Sequence, residues 1–443
     1  RLLEQETPEQ KEARLKEQRE KRAQKKRERE EKGETEKKEK KERKPKPLPE
    51  EVEPACDQVL PPPPKRVSGK MQYYECPIPH DRHMYALERC DLNEDMSQVL
   101  LKNKPNESVV KVVQGPPGTG KSSFLLEMMK KTSGRILCCA PTNVGAADLY
   151  TRCLKLGIRD CSLILPPDRI PKDTVLMSEN PEERIVCCTI SGRNGRMLEN
   201  QEFESVFLDE AGQCMEAHTW GLLRHSVRFL CMTGDIRQLP AQTSESGKTL
   251  GHNRSLMQRL LEQGYPSTIL TKQRRMHPEI SKFPNQEFYN GELEDVNVDK
   301  PVKKPYQVMQ VDGKEVEDRT SYSNSKEVEV CMSLVGNLSK EYGNIVIITP
   351  YSAQCRLLLS KQLGVPIHTI DSFQGKEADC VIVSMVRTGS DVGFWSDSRR
   401  LTVALTRAKY KLVIVGNAKS WKTEPLVKMY QNAKLRNVIV SPK

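Results

Sequence analysis

The sequence predicts an α/β fold with two consecutive parallel sheets, each built from strands that alternate with helices. Short apolar, β-branched runs recur along the chain, and each is followed by a turn and an amphipathic segment. That pattern is typical of strand–helix–strand crossovers in parallel sheets. The runs fall into two series, separated near residues 265–270. Two series predict two such domains, which fits a chain of 443 residues at about 150 residues per domain.

The predicted domain boundaries follow from these two series. The predicted strands of the first series are residues 110–113, 136–139, 185–189, 206–208 and 229–233, and those of the second are 345–348, 369–370, 381–384 and 412–415. We therefore predict a first domain over residues 92–266 and a second over residues 267–430, with a short C-terminal tail at 431–443.

The N-terminal segment is predicted to stand apart from both domains. Residues 1–50 hold 19 basic and 14 acidic residues without an apolar stripe, so they predict a disordered segment or an isolated charged helix. Such a charged tail is either a solvated arm or a segment for nuclear localisation, RNA binding or contact with a protein partner. Residues 51–91, with four consecutive prolines at 61–64, predict an extended linker and lead-in.

The overall composition limits the classes of partner and compartment. The net charge of +11 favours polyanions, above all nucleic acid. The fourteen cysteines contain no CxxC pair, and the doublets at 138–139 and 187–188 fall within predicted buried strands. We therefore expect reduced, buried cysteines and a cytoplasmic or nuclear location. The sequence has no apolar run of about 18 residues and no signal peptide, so we expect no membrane partner.

Residues 115–122 read GPPGTGKS and match the GxxxxGK[ST] pattern of a phosphate-binding loop. They follow the predicted strand 110–113 and open a predicted helix at 122–129, which is the context that this pattern requires. Glycines let backbone N–H groups close around phosphate oxygens, and the helix N-terminus adds a positive dipole end. Lys121 is expected to reach the β- and γ-phosphates, and the Ser122 hydroxyl to bind Mg²⁺. The predicted nucleotide-binding residues of this loop are Gly115, Pro116, Pro117, Gly118, Thr119, Gly120, Lys121, Ser122 and Ser123.

An acidic pair follows another predicted strand of the same series. Asp209 and Glu210 come directly after the strand 206–208. A carboxylate at a strand end beside a phosphate-binding loop is where the second Mg²⁺ ligand must lie, which assigns Asp209 to the metal together with Ser122. Glu210 is then placed to orient and deprotonate an attacking water. The predicted cofactors are ATP and Mg²⁺.

Seven motifs, taken in order, resemble those of superfamily 1 helicases. After the phosphate-binding loop come DEAGQ at 209–213, GDIRQLP at 234–240, QRRMHP at 273–278, TPYSAQ at 349–354, TIDSFQGKE at 369–377 and RLTVALTRA at 400–408. They are similar to the 1B group around the nonsense-mediated-decay and Sen-type helicases, and the resemblance covers residues 92–417. It implies two tandem RecA-like P-loop domains with the nucleotide in the cleft between them.

The resemblance also implies catalytic roles at matching positions. Gln238 corresponds to the family's sensor of the γ-phosphate, and Arg275 and Arg407 resemble its arginine fingers from the second domain. Two guanidinium groups from across a cleft would neutralise charge on the transferring phosphoryl group only when the cleft closes. The predicted catalytic residues are Lys121, Asp209, Glu210, Gln238, Arg275 and Arg407.

Four further positions are implied to contact the nucleotide. Gln98 lies 17 residues before Gly115, where the family has an adenine-reading glutamine. Gly375 and Glu377 resemble positions that reach the nucleotide from the second domain. Arg274 stands where the family has a tyrosine that stacks on the base; an arginine plane can also stack on an aromatic ring, and the base preference stays open.

The resemblance implies that a nucleic-acid strand lies across the top of both domains. Matching positions carry small hydroxyls, amides and backbone N–H groups, which position phosphate and sugar without reading sequence. Each Ser or Thr among them is alternatively only a helix cap. The predicted nucleic-acid-binding residues are Pro141, Thr142, Asn143, Thr189, Pro350, Tyr351, Gln354, Thr369 and Ser372.

The function implied by the resemblance is that of an ATP-dependent helicase or translocase on single-stranded RNA or DNA, moving 5′→3′. Larger relatives carry a β-barrel before the first motif and a helical insert after Asn143, and this chain has little room for either. A nucleotide-gated clamp or RNP-remodelling scaffold without real unwinding is the alternative, and a P-loop NTPase with no nucleic-acid client is a more distant one. We expect the core to be monomeric.

Overall fold

The computed structural model describes residues 92–296, 302–389 and 391–442. All of them belong to one compact unit, Gln72–Lys443. The charged tail predicted at 1–50 and the linker predicted at 51–91 lie outside the described residues. Two large parallel sheets with helices packed on them form the described part of the chain, which confirms the predicted α/β class.

The first sheet has seven parallel strands in the order β3-β4-β2-β5-β6-β1-β7. Its strands are β1 (Val110–Gln114), β2 (Ile136–Ala140), β3 (Cys161–Ile164), β4 (Ile185–Thr189), β5 (Ser205–Leu208), β6 (Phe229–Gly234) and β7 (Ser267–Ile269). The helices of this part are α1 (Glu94–Leu100), α2 (Lys121–Lys131), α3 (Asn143–Lys155), α4 (Glu216–Trp220), α5 (Glu245–Thr249) and α6 (Leu256–Glu262).

The second sheet has six parallel strands in the order β14-β13-β15-β16-β10-β17. Two short pairs, β8 with β9 and β11 with β12, lie outside it. The strands of this part are β8 (Lys272–Gln273), β9 (Glu294–Asp295), β10 (Tyr306–Gln310), β11 (Val316–Asp318), β12 (Ser321–Ser323), β13 (Ile345–Thr349), β14 (Ile367–Thr369), β15 (Ala378–Ser384), β16 (Ala408–Gly416) and β17 (Ile439–Val440). The helices are α7 (Pro278–Phe288), α8 (Ser325–Leu338), α9 (Ser352–Leu359), α10 (Ser398–Leu405) and α11 (Leu426–Leu435).

Both sheets are buried on their two faces, which explains why their strands are continuous apolar runs. Alternate residues of β2 enter different clusters: Leu137 and Cys139 pack on one face and Ile136 and Cys138 on the other. The same alternation occurs in β13 of the second sheet. Leu239 lies between β6 and β7 of the first sheet in sequence, but its side chain packs in the core of the second sheet.

Several elements of the structure are missing from the sequence prediction. The strands β3, β7, β10 and β17 were not predicted, and β17 pairs with β10 beyond residue 430, so the second sheet extends into the predicted C-terminal tail. These strands are short or lie at or near a sheet edge, so their apolar signal is weak. The eleven described cysteines are free and buried, as predicted. Among the described residues, no helix is long and apolar enough to span a bilayer.

Candidate nucleotide cleft and nucleic-acid edge

The phosphate-binding loop connects β1 to α2, as the sequence predicts. Gly118 and Gly120 both have positive φ, +74° and +85°, and Gly120 is the N-cap of α2 without a side-chain cap. The first N–H groups of α2 therefore have no capping side chain, which suits an anion. A Cβ on Gly118 would lie 2.6 Å from the Cβ of Arg275, so only glycine allows the second sheet's segment to approach the loop this closely.

The Lys121 side chain folds back over the loop. Its Nζ donates to the Gly115 carbonyl at 2.8 Å and lies 3.9 Å from the Glu210 carboxylate. Lys121 is thus held between the loop backbone and the acidic pair. A triphosphate placed on the loop would meet this ammonium group at its β- and γ-phosphates.

The acidic pair lies at the carboxyl end of β5, beside the loop. Asp209 is 7% exposed, and its carboxylate accepts hydrogen bonds from Ser122 Oγ at 2.8 Å and Thr233 Oγ1 at 2.7 Å. Burial, together with the neighbouring Glu210, raises the pKa of Asp209 above its usual range, against the two hydroxyl donors and Lys121. Glu210 has a positive φ of 52°, a conformation that is strained for a residue with a side chain and is often found at functional sites.

Ser122 and Asp209 present the oxygen ligands that Mg²⁺ prefers. The Ser122 hydroxyl and one Asp209 carboxylate oxygen are in contact at 2.8 Å, directly at the start of the phosphate-binding helix. The second carboxylate oxygen is held by Thr233, which fixes the orientation of the group. A hydroxyl and a fixed carboxylate at this place fit a divalent cation, and Ser122 and Asp209 would hold it.

Two arginines of the second sheet's segment face the same cleft. The Arg275 guanidinium donates to the Glu377 carboxylate at 2.6 Å and to the Thr406 carbonyl at 3.2 Å. Lys409 pairs with the other oxygen of Glu377 at 2.9 Å. Burial alone would raise the pKa of Glu377, but Arg275 and Lys409 outweigh it and hold the pKa below its usual value.

Arg407 is the more deeply buried of the two arginines, at 2% exposure. Its guanidinium donates to the Val403 carbonyl at 3.0 Å and to the Gln238 side-chain oxygen at 2.8 Å. Burial, followed by the repulsion of Arg275, lowers the pKa of Arg407, but arginine stays protonated in proteins. The bond to Gln238 joins a residue after β6 of the first sheet to one before β16 of the second.

A cleft of about 920 Å³ contains most of the predicted nucleotide site. All six predicted catalytic residues line it. Of the predicted nucleotide-binding residues in the loop, Gly115 and Thr119 are buried and are not on its lining. The Gly115 N–H donates to the Gly234 carbonyl, and the Thr119 hydroxyl donates to the Pro116 carbonyl. The residues that do line it are Pro116, Pro117, Gly118, Gly120, Lys121, Ser122, Ser123, Arg274, Gly375 and Glu377.

Gln98 is not on the lining of the cleft. It lies on α1, and its side-chain oxygen is buried without a hydrogen-bond partner among the described residues. A buried acceptor without a hydrogen-bond partner is costly. A donor from a bound molecule would therefore stabilise the Gln98 oxygen. The predicted adenine contact by Gln98 stays a prediction.

The predicted nucleic-acid residues divide into an accessible set and a buried set. The accessible ones lie at the carboxyl edges of the sheets: Thr142 and Ser372 are exposed, and Thr189 pairs in register with Ala140, just before Pro141. Thr142 is also the N-cap of α3, with its hydroxyl accepting from Gly145 N at 3.0 Å. The accessible or partly accessible positions are Pro141, Thr142, Asn143, Thr189, Thr369 and Ser372.

The predicted contacts by Pro350, Tyr351 and Gln354 need correction. All three are buried, Tyr351 at 1% and Gln354 at 0% exposure. The Gln354 amide is used internally, because its oxygen accepts from Asn324 N at 2.8 Å and its nitrogen donates to Ser384 Oγ at 2.9 Å. These side chains hold the second sheet's edge together rather than face a ligand.

Three residues of the site lie outside the residues that the sequence predicts. Thr233 fixes Asp209, Lys409 shares Glu377 with Arg275, and Tyr289 donates from its hydroxyl to Asp235 at 2.8 Å. Thr233 directly precedes the GDIRQLP motif, so that motif could have indicated it. No sequence signal indicates Tyr289, because it lies at the end of a helix, away from every motif.

The fold and the site together define a P-loop nucleotide-binding protein in which two parallel sheets contribute to one cleft. Two family models, both described as AAA domain, match the chain, one at residues 91–180 and 172–245 and the other at residues 252–419. The chain is 28% identical over 448 aligned positions to regulator of nonsense transcripts 1 of Dictyostelium discoideum, a match covering 82% of this chain and 33% of the relative. It is 32% identical over 302 positions to the probable helicase senataxin of Mus musculus, covering 58% of this chain and 11% of the relative.

The chain therefore belongs to the superfamily 1B helicases of the group that includes the regulator of nonsense transcripts and senataxin. It spans a third or less of the length of these two relatives. A solved complex of Arterivirus nonstructural protein 10 (helicase) with DNA aligns over 74% of this chain and 64% of that one, at 19% identity and a TM-score of 0.47.

Proposed function

We propose that this chain is an ATP-hydrolysing motor that moves along single-stranded nucleic acid, in the 5′→3′ direction, and separates strands. The hydrogen bond between Arg407 and Gln238 carries the proposal, because it joins the two halves of a cleft that also holds a phosphate-binding loop and an acidic pair. In such a cleft, turnover depends on closure. Repeated closure and opening, coupled to a bound strand, produce movement.

In this proposal each group of the cleft has one task. Lys121 binds the β- and γ-phosphates, and Ser122 and Asp209 hold Mg²⁺, which supplies charge neutralisation at the phosphates when bound. Glu210 takes the proton of the attacking water, and Gln238 orients that water beside the γ-phosphate. Arg275 and Arg407 offset the charge that develops on the transferring group.

The base of the nucleotide is proposed to contact Gln98 and Arg274. The Gln98 oxygen, which has no hydrogen-bond partner among the described residues, suits an exocyclic amino donor such as that of adenine. Arg274 is exposed, lines the cleft and is anchored through its backbone N–H to the Gly118 carbonyl at 2.9 Å. Its planar guanidinium provides a stacking surface.

The strand is proposed to follow the carboxyl edges of both sheets. Thr142, Thr189, Thr369 and Ser372 offer hydroxyls there, and the first N–H groups of α3 add donors for phosphate. None of these groups is of a type that selects bases, so we propose binding with little sequence preference. The free, buried cysteines of the described residues favour a reducing compartment, and the proposed location is cytoplasmic or nuclear.

A nucleotide-gated clamp is the second candidate function. The observation that favours it is the short path from Asn143 to Thr189, in which the described residues form only α3, β3, one 3₁₀ turn at Pro167–Arg169 and β4. An element that could wedge strands apart is therefore missing from this segment. A clamp needs the same ATP site but no strand separation.

Strand displacement from tailed duplexes tests the proposal against the clamp. Duplexes with a single-stranded 5′ tail, a 3′ tail or no tail are mixed with the protein, Mg²⁺ and ATP or a non-hydrolysable analogue. The motor displaces a strand from the 5′-tailed substrate with ATP only. Nucleotide-dependent binding of the tail without displacement from any substrate supports the clamp, and preference for the 3′ tail contradicts the proposed direction.

A further inference from the structure

The Asp235 carboxylate connects the two halves of the cleft. It is 3% exposed and follows β6, and its oxygens accept from Arg237 N at 3.0 Å and Gln238 Nε2 at 2.8 Å. The oxygen that accepts from Gln238 also accepts from the Tyr289 hydroxyl at 2.8 Å. Tyr289 belongs to the core of the second sheet and directly follows α7.

The segment 235–239 is docked on the second core by several contacts. The Arg237 guanidinium lies 5.7 Å from the centre of the Tyr289 ring, and Leu239 is buried in the same core as that ring. Arg407 adds its hydrogen bond to Gln238. Four side chains of this segment, which belongs to the first half of the chain, therefore contact the second half.

The hydrogen bonds fix which way the Gln238 amide points. Because its nitrogen donates to Asp235, its oxygen faces Arg407, which can only donate. Burial and the Asp235 charge raise the pKa of Tyr289 well above its usual value, so the hydroxyl stays a donor. Without the Tyr289 hydroxyl, the buried Asp235 oxygen loses one of its two donors and holds the Gln238 amide less firmly.

One helix links this anchor to the other arginine. Arg275 lies just before Pro278, where α7 begins, and Tyr289 follows Phe288, where it ends. Ile280, Phe283 and Phe288 pack this helix along its length in the core of the second sheet, so both of its ends are held in one body although Pro284 lies within it. Docking of Tyr289 on Asp235 and approach of Arg275 to the phosphate-binding loop are thus parts of one movement.

We propose that Tyr289 is a positioning residue for ATP hydrolysis, whose hydroxyl holds Gln238, through Asp235, in the orientation that accepts from Arg407 and faces the γ-phosphate. The inference rests on the proposed function, since it assigns Gln238 to the reacting water. Tyr289 touches no reacting atom, and it acts only through the carboxylate. Its loss affects the rate of turnover and leaves the phosphate-binding loop intact.

The test compares Tyr289→Phe with the unchanged protein in steady-state ATP hydrolysis at saturating single-stranded RNA or DNA. Loss of one buried hydrogen bond to a charged acceptor is expected to lower kcat about tenfold, with KM for ATP changed by less than about twofold. In a Gln238→Ala background, Tyr289→Phe is expected to change kcat no further, because the residue acts through Gln238. Asp235→Asn, which keeps the shape and weakens the acceptor, is expected to lower kcat in the same way.

Two buried tyrosines provide matched controls. Tyr265→Phe removes a hydroxyl that donates to Val110 O at 2.6 Å within the first half of the chain, so it lowers thermal stability and leaves kcat unchanged. Tyr306→Phe removes a buried hydroxyl that has no hydrogen-bond partner among the described residues, so it leaves kcat unchanged and does not lower thermal stability. A Tyr289→Phe variant with normal kcat, or with an equal loss in the Gln238→Ala background, overturns the inference while the proposed function stands. An inactive unchanged protein overturns both.

Discussion

Arg407 and Gln238 form a hydrogen bond of 2.8 Å across the cleft, between two residues 169 positions apart in sequence. Gln238 is placed by the end of β6 in the first sheet, and Arg407 by the turn between α10 and β16 in the second. Their contact exists only when the two sheets are close together. The proposed arginine finger is therefore coupled to closure by direct contact with the proposed γ-phosphate sensor.

Removing the Arg407 guanidinium tests that coupling. Arg407→Ala is expected to lower kcat for ATP by about a thousandfold, the scale of an arginine finger. Arg407→Lys is expected to lower it nearly as much, because one ammonium cannot replace donors to Val403, Lys376 and Gln238 together. Arg356→Ala, which breaks an exposed ion pair with Asp318, serves as the control. Full turnover by a folded Arg407→Ala variant would contradict the finger assignment.

Lys121→Ala tests the phosphate-binding loop. Without the ammonium group the β- and γ-phosphates lose their main cationic contact, so ATP hydrolysis is expected to fall to background and nucleotide affinity to drop at least about tenfold. Fluorescent-nucleotide binding and phosphate release measure the two effects. Lys131→Ala, at the exposed far end of the same helix, controls for loss of positive charge. If the Lys121→Ala variant still hydrolyses ATP, the nucleotide binds at another site.

Glu210→Gln separates binding of ATP from its hydrolysis. The amide keeps the shape of the side chain and its contact with Gln213, but it cannot accept the proton of the attacking water. The rate is expected to fall by about two to four orders of magnitude, while nucleotide affinity stays within about threefold. If nucleotide affinity fell by the same factor as the rate of hydrolysis, Glu210 would have a structural role instead. Gln213→Ala, which removes only the neighbour, is the matched comparison.

Glu327 gives a pH prediction that is independent of catalysis. Burial raises its pKa from 4.5 to about 8, against the hydrogen bonds from Ser384 and Val386. Between these two pKa values the folded carboxyl holds a proton that the unfolded chain has released. The contribution of the Glu327 carboxyl to stability is therefore complete below about pH 4.5 and is lost as pH rises through about 8. The melting temperature is expected to fall by more in the unchanged protein than in Glu327→Gln between about pH 5 and pH 9. Parallel curves would show that Glu327 does not titrate in this range.

Much of the cleft was predictable because its groups lie in contiguous motifs at strand ends. The loop at 115–122, the pair Asp209–Glu210, and the arginines Arg275 and Arg407 were each assigned from a few adjacent letters. A parallel sheet then brings strand ends to one edge whatever the connections between them. All six predicted catalytic residues accordingly line one cleft.

The remaining features depend on packing between segments far apart in sequence. Tyr289 reaches Asp235 over 54 positions, and no local pattern encodes that distance. Tyr351 and Gln354 were assigned to the nucleic acid from a motif, but the motif does not say which side of the strand end is buried. Their burial follows from contacts with Tyr322 of β12 and with Asn324, in a segment that has no strong apolar signal of its own.

Steady-state ATP hydrolysis, with and without single-stranded RNA or DNA of equal length and at two salt concentrations, tests the central claim most directly. Phosphate contacts release counterions, so binding weakens as salt increases. A motor on one of these polymers is expected to hydrolyse ATP at least about tenfold faster in its presence, with the stimulation fading at the higher salt. Basal hydrolysis that neither polymer stimulates at either salt concentration would contradict a nucleic-acid motor.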